Sequence, residues 1–199
     1  MIHRFRSLTA AVAALVVLAF SAAPALAADV YDLDGAHSSA LFRVKHLNIG
    51  NFYGRFNNIS GTISIDKENL ANSSVNLSIA ADSVDTGNAK RDNHLKSPDF
   101  FNAKQFPTLT FKSTAIEAMG ENKYKVTGDF TMLGQTKSIA VEVEKTGEGA
   151  DPWGGYRVGA ETSFSLKRSD FGMNFMQGGL GDEVRVVISV EAIRRNAEQ

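Results

Sequence analysis

Beyond Asp29 the chain alternates apolar and polar residues with a period of two. Ala40, Phe42, Val44 and His46 share one face of a stretch whose other face carries Arg43 and Lys45. Ile59, Gly61, Ile63 and Ile65 alternate with Ser60, Thr62 and Ser64, and Val75, Leu77, Ile79 and Ala81 with Asn76, Ser78 and Ala80. The pattern returns from Tyr124 to Met132, Ile139 to Val143, Val158 to Leu166 and Val184 to Val190. Side chains of a strand point alternately to its two faces, so these stretches predict strands with one buried and one wet face. Turn-forming residues punctuate them at Asp66–Asn69, Met119–Asn122, Leu133–Gln135 and in a loop from Gly147 to Gly155. About eight antiparallel strands at this spacing predict a sandwich or a closed barrel.

One segment leaves this rhythm. Residues 86–106 read TGNAKRDNHLKSPDFFNAKQF, with helical spacing and two candidate starts. Thr86 is one N-cap candidate; Ser97, followed by Pro98 and Asp99, is the stronger one, because proline at the first helical position sacrifices no hydrogen bond. One or two short helices are expected in this connection, lying over an end of the β structure.

The N-terminus has the three-part layout of a secretory leader. His3, Arg4 and Arg6 precede an apolar run from Leu8 to Phe20, and Ala25 and Ala27 stand at the −3 and −1 positions of a cleavage site. The apolar run is short for a membrane span. Cleavage after Ala27 leaves residues 28–199 as one domain. The leader holds two of the 21 Lys and Arg and none of the 22 Asp and Glu, so the remainder carries a net charge of −3. With no long basic run, nucleic acid is not an expected partner. The chain has no cysteine. Thiol catalysis, cysteine-bound zinc and a lipid-modified N-terminal cysteine are therefore excluded, and an exported domain of this size must be held by its core alone. The expected location is the bacterial periplasm, or the exterior.

Reactive signatures are sparse. The sequence contains no G-x-S-x-G elbow, no H-E-x-x-H, no phosphate loop and no G-x-G-x-x-G. His37, His46 and His94 are far apart in sequence, without the spacing of a metal site. Asp92 and His94 are the one local carboxylate–imidazole candidate, yet no serine stands out as their nucleophile. A helix offers Asp92 a simpler partner in Lys96, four residues on. Eleven of the 13 phenylalanines lie beyond the leader. They suit either an ordinary core or the lining of an eight-stranded barrel, which is just wide enough to be filled or to hold one slender ligand.

At these residues the chain resembles a known family. The motifs are D-x-x-H-S at Asp34–Ser38, F-R-V-K-H-L and G-N-F-Y-G-R-F between Phe42 and Phe56, and S-V-D-T-G-N-A-K-R-D-N-H-L-K-S-P-D-F-F at Ser83–Phe101. F-P-T-L-T-F-K-S follows at Phe106–Ser113, then G-D-F-T-M-L-G at Gly128–Gly134 and R-S-D-F-G-M at Arg168–Met173. Together they resemble the YceI-like family, bacterial exported lipocalin-like proteins associated with polyisoprenoid binding. The likeness runs from about Val30 to Ile193, and its long central motif is the specific one.

The resemblance implies an all-β, lipocalin-like eight-stranded antiparallel barrel, with short helices in the 86–106 connection and an elongated apolar cavity. It implies a carrier for a long-chain amphiphilic lipid: an isoprenoid quinone, a polyprenyl phosphate or a fatty-acid amide. The head-group candidates are His37, Arg91, Asp92, His94, Arg168 and Asp170. Candidates for the tail are Phe42, Val44, Phe52, Phe56, Phe100, Phe101, Phe111, Phe130, Phe164, Phe171 and Met173. No catalytic residue, metal ligand or cofactor other than the bound lipid is assigned. Transient contact with a membrane or membrane protein fits such a carrier, and a homodimer is compatible with the pattern without being demanded by it. Two rivals remain: an interaction module with a filled barrel, and a periplasmic enzyme acting on lipid through Asp92 and His94.

Overall fold

The computed structural model describes residues 28–195; the leader assigned to residues 1–27 lies outside the described residues. In chain order the strands are β1 (Asp29–Leu33), β2 (Ser39–His46), β3 (Gly50–Phe56), β4 (Ile59–Ile65), β5 (Ser74–Ala80) and β6 (Val84–Asp85). Helix α1 (Ala89–Leu95) follows, then β7 (Thr108–Gly120), β8 (Lys123–Met132), β9 (Gln135–Ala150), β10 (Tyr156–Lys167) and β11 (Leu180–Arg194). Eleven segments fill eight positions around a closed antiparallel barrel. Three positions hold a strand broken in two. β1 and β2 both pair with β11, as Leu33 with Ala192 and Ser39 with Ser189, and the 3-10 turn Gly35–His37 separates them. β3 and β4 bend at Asn57–Asn58, and β5 and β6 at the turn Ala81–Ser83. The pairing of β1 and β2 with β11 closes the ring, and the ladder between β9 and β10 is only partial.

The alternating stretches of the sequence lie in strands, except that Ala81 falls in the turn after β5, and four strands are not marked by them, among them the two-residue β6. β1 is short, and β3 alternates glycine with aromatic residues. β7 hides behind a bulge between Ser113 and Ala115. Leu109 and Phe111 face inward before it, and the apolar phase resumes one residue out of step at Ile116, because a bulge inserts an extra residue. The loop expected from Gly147 is also shorter: β9 runs on to Ala150, and Asp151 organises the turn by accepting hydrogen bonds from Trp153 N and Gly155 N.

The helical connection differs in detail too. Asn88, not Thr86, caps α1, its side chain accepting from Arg91 N at 3.0 Å. Ser97 starts a run of turns rather than a second helix. Asn102 takes a left-handed φ of 43°, which ends any helical propagation there.

The two ends of the barrel are unlike. At the end where β1 meets the start of β10 and the finish of β11, Tyr31, Val158 and Ala192 pack with Leu33, Ile63 and Tyr156 into a solid floor. The opposite end is framed by the β2–β3 turn, by α1 with the connector 97–107, and by the loop 172–179. There Phe100, Ala103, Phe171 and Met173 join the main core.

Candidate functional site

The barrel is hollow. It encloses a cavity of about 470 Å3, within the range usual for small-molecule sites. Phe42 and Val44 of β2, Phe56 of β3, Phe111 of β7, Phe130 of β8 and Phe164 of β10 contribute to its wall. Phe42 and Phe56 tilt together with ring centroids 5.7 Å apart, and Phe56 meets Phe101 edge-on at 5.2 Å. Glycine makes part of this room: a Cβ on Gly54 would fall 2.3 Å from the Phe42 ring, and one on Gly128 2.5 Å from that of Phe111. Between β9 and β10 the ladder stops at Thr162 and Val143, where the Thr162 hydroxyl donates to the carbonyl of Glu142 at 2.6 Å. Ile139, Val141 and Leu166 line the cavity beyond that point.

Charged side chains gather at the mouth. The Arg91 guanidinium lies 4.4 Å from the centre of the Phe52 ring, a cation–π contact. Thr86 fixes it there: Arg91 Nε donates to the Thr86 hydroxyl and Nη2 to the Thr86 carbonyl, each at 2.8 Å. The His94 ring stands edge-on to Phe100 and Phe175, and its Nε2 is 2.8 Å from Asp99 Oδ2. Arg91, His94 and His46 all line the cavity, together with Leu95, Met176 and Leu180.

Of the residues expected to face a tail, Phe42, Val44, Phe52, Phe56, Phe100, Phe101, Phe111, Phe130, Phe164 and Met173 line the cavity. Phe171 does not. It is buried behind the wall, with its ring 5.3 Å from that of Phe130 and against a smaller depression it shares with Asp170. Asp170 is exposed there, outside the cavity.

Among the head-group candidates, Arg91, His94 and Arg168 line the cavity, whereas His37 and Asp92 do not. Asp92 and His94 form no pair, since residues two apart on a helix do not face each other. Asp92 Oδ1 instead accepts from the amide and hydroxyl of Thr86 and fastens the start of α1. Lys96 contributes only its backbone, donating to the carbonyl of Asp92. Arg168 is buried, and burial pushes its guanidinium pKa down. Its Nε donates to the carbonyl of Gly181, Nη1 to those of Met173 and Phe175, and Nη2 to that of Leu180. Four carbonyls of one loop thus converge on one cation.

His37 belongs to a cluster at the floor end. Asp34 accepts from the amide of Ala36, lies 2.8 Å from His37 Nδ1, and takes a hydrogen bond from Arg157 Nη1 at 2.8 Å. Arg157 also donates to Asp151 and Glu191. These contacts, that from Arg157 first, hold the Asp34 carboxyl down at about 2. Asp34, His37 and Glu191 bring potential metal-ligand atoms within 4.8 Å of one another, but the Arg157 cation already bonds both carboxylates. The D-x-x-H-S motif therefore serves the junction of β1, β10 and β11.

Sequence reasoning missed several wall residues, among them Ile139, Val141, Val186, Ile188 and Val190. Their signal was present: they fall in the alternating stretches Ile139 to Val143 and Val184 to Val190. The roles of Asp99 as partner of His94 and of Thr86 as anchor of Arg91 had none, because they arise from how the connector folds back.

The comparisons with known proteins agree with this architecture. The family model for the YceI-like domain matches residues 31–192. A UPF0312 protein of Pseudomonas aeruginosa is 43% identical over 188 residues, covering 94% of this chain and 98% of its own. The crystal structure of the Campylobacter jejuni YceI protein superposes with a TM-score of 0.68 at 34% identity, over 76% of this chain and 90% of that one. A polyisoprenoid binding domain from Saccharophagus degradans, implicated in plant cell wall breakdown, shares the fold at a TM-score of 0.64 and 17% identity, over 83% and 98%. Motifs, barrel and relatives converge, and the chain belongs to the YceI-like family.

Proposed function

We propose that the protein is a periplasmic, non-catalytic carrier of one long-chain amphiphile, its tail inside the barrel and its head at the Arg91–His94 mouth. The observation that carries this reading is the cavity itself, about 470 Å3 of space walled almost wholly by carbon, with a packed floor and its histidines and Arg91 at one end. A filled barrel, which the interaction-module reading required, does not describe this interior. The enzyme reading loses its dyad, because Asp92 is engaged by Thr86. The polyisoprenoid binding domain of Saccharophagus degradans lends support through a common fold. The leader-like residues 1–27 support export.

The energetics suit a tail of this kind. Each buried CH2 stabilises the complex by roughly 0.8 kcal/mol, so a five-carbon isoprene unit contributes about 4 kcal/mol. Two or three units reach micromolar to nanomolar affinity after the costs of ordering are subtracted. Apolar burial has no direction, so selectivity falls to the depth of the cavity and to the polar groups at its mouth. An isoprenoid quinone, a polyprenyl phosphate and a fatty-acid amide all present an acceptor oxygen to Arg91. The reading is tested by adding an isoprenoid quinone to the purified protein in water. One quinone held in solution per chain is expected; quinone that sediments as if no protein were present contradicts it. Cell fractionation tests the periplasmic location.

A further inference from the structure

Large apolar side chains are exposed around the mouth rather than evenly over the surface. Of the eight most exposed among the described residues, Leu47, Ile49, Phe175 and Met176 lie in the turn and loop that frame it. Ile49 at the tip of the β2–β3 turn is 84% exposed. Leu47 and Asn48 in the same turn take left-handed φ values of 51° and 56°, a conformation for which glycine or asparagine is the ordinary choice. Leu47 is 52% exposed in that conformation. The turn is tied to the loop 172–179 by a hydrogen bond from Leu47 N to the carbonyl of Gly179 at 2.7 Å. Met176 lines the cavity and is also 43% exposed, so this side chain links the outer surface to the barrel interior.

The outer face below this turn is cationic. Arg43 and Lys45 lie on β2, and Arg185 of β11 stands directly opposite Arg43 in the ladder. None of the three has a carboxylate within ion-pair distance among the described residues, although the sequence after the leader is net acidic. The nearby acids are engaged elsewhere, Asp182 by Ser169 and Glu183 by Ser165. Like charges set opposite each other across strands destabilise a sheet unless an outside anion lies against them.

We propose that this rim docks on an anionic phospholipid bilayer, with Leu47 and Ile49 entering the interface and Arg43, Lys45 and Arg185 lying against lipid phosphates. The proposal rests on the carrier reading: a tail passing from bilayer to barrel then never crosses water. Exposed aliphatic side chains beside unpaired cations fit a membrane surface, whose interior takes the one and whose phosphates attract the other.

The test is flotation of the protein, expressed from its full-length chain, with vesicles of phosphatidylcholine and phosphatidylglycerol in equal parts. Binding of a soluble farnesyl-tailed quinone is measured on the same samples. Three cations at about 1 kcal/mol each predict a loss of vesicle affinity on the order of a hundredfold for the triple variant Arg43→Gln, Lys45→Gln, Arg185→Gln, and a similar loss on pure phosphatidylcholine. Ile49→Asp is expected to lose about tenfold or more. None of these four residues lines the cavity, so quinone binding should be unchanged and will also report that the variants fold. Equal flotation of wild type and variants, or none with wild type, overturns the docking face while leaving the carrier reading to its quinone result. Charge-dependent flotation of a protein that binds no quinone would keep the docking face and refute the carrier.

Discussion

The ring of Phe42 lies across Gly54, its cross-strand partner, with Cζ 2.3 Å from where a Cβ on that glycine would stand. The missing side chain lets an aromatic ring lie flat against the wall instead of filling the barrel. The Phe111 ring likewise lies over Gly128, diagonally across the β7–β8 ladder. Gly54→Ala should therefore drive the Phe42 ring into the cavity. Overpacking costs about 1–3 kcal/mol of stability, and the retained ligand should have a shorter tail than that of wild type. Mass spectrometry of extracted lipid checks the tail, and urea denaturation checks the stability.

Charge in the wall should be more severe. Phe111→Asp places a carboxylate among Leu77, Phe130 and Leu109, where it has no counter-ion and stays hydrated only by admitting water to the cavity. Loss of quinone binding is expected in protein that keeps its far-ultraviolet circular dichroism. Full affinity in such a folded variant would show that tails bind elsewhere.

Arg168→Met separates two roles for the buried arginine. Its four carbonyl acceptors would lose their donor, and the loop from Met173 to Gly181 would lose its anchor. A stability loss of about 3–5 kcal/mol is expected by denaturant titration, because removing one side of a buried charged network leaves polar groups unpaired. A variant of wild-type stability that fails only to bind lipid would make Arg168 a head-group ligand instead.

The floor cluster predicts an acid-sensitive step. Asp34 titrates at about 2 in the folded protein, below the ordinary carboxyl value of 3.8, because Arg157 and His37 hydrogen-bond its charged form. A depressed folded pKa contributes stability that is fully present above the unfolded value and is lost as pH falls through the folded one. Thermal stability should thus decline between about pH 4 and pH 2, and Asp34→Asn should flatten that decline while lowering stability at neutral pH. An unchanged slope in the variant would remove Asp34 as its source.

The barrel was legible because side chains of a strand alternate between its two faces, a two-residue period that marks seven of the strands. Alternation puts Phe42 with Val44, and Phe164 with Leu166, on one face of their strands, and those faces line the cavity. What the period could not convey was phase across an irregularity, as at the Ser113–Ala115 bulge in β7. Whether the interior was full or hollow was equally hidden, because it depends on rings lying against Gly54 and Gly128 from neighbouring positions. The polar candidates fared unevenly for a related reason. Motif membership marked Arg91 and His94, which line the mouth, but it marked His37 and Asp92 equally, and those two bond to Asp34 and Thr86 of the chain itself. Partners a few residues away decided which was which, with Arg157 alone reaching in from a distant strand.

The central claim is that the barrel holds a lipid, and native mass spectrometry tests it most directly. The protein is purified from its source without detergent, weighed intact, and then extracted with solvent. One isoprenoid or fatty-acyl molecule per chain is the predicted result, with the extract naming the head group that meets Arg91. A protein that arrives empty and also refuses added quinones and lipids would contradict the account.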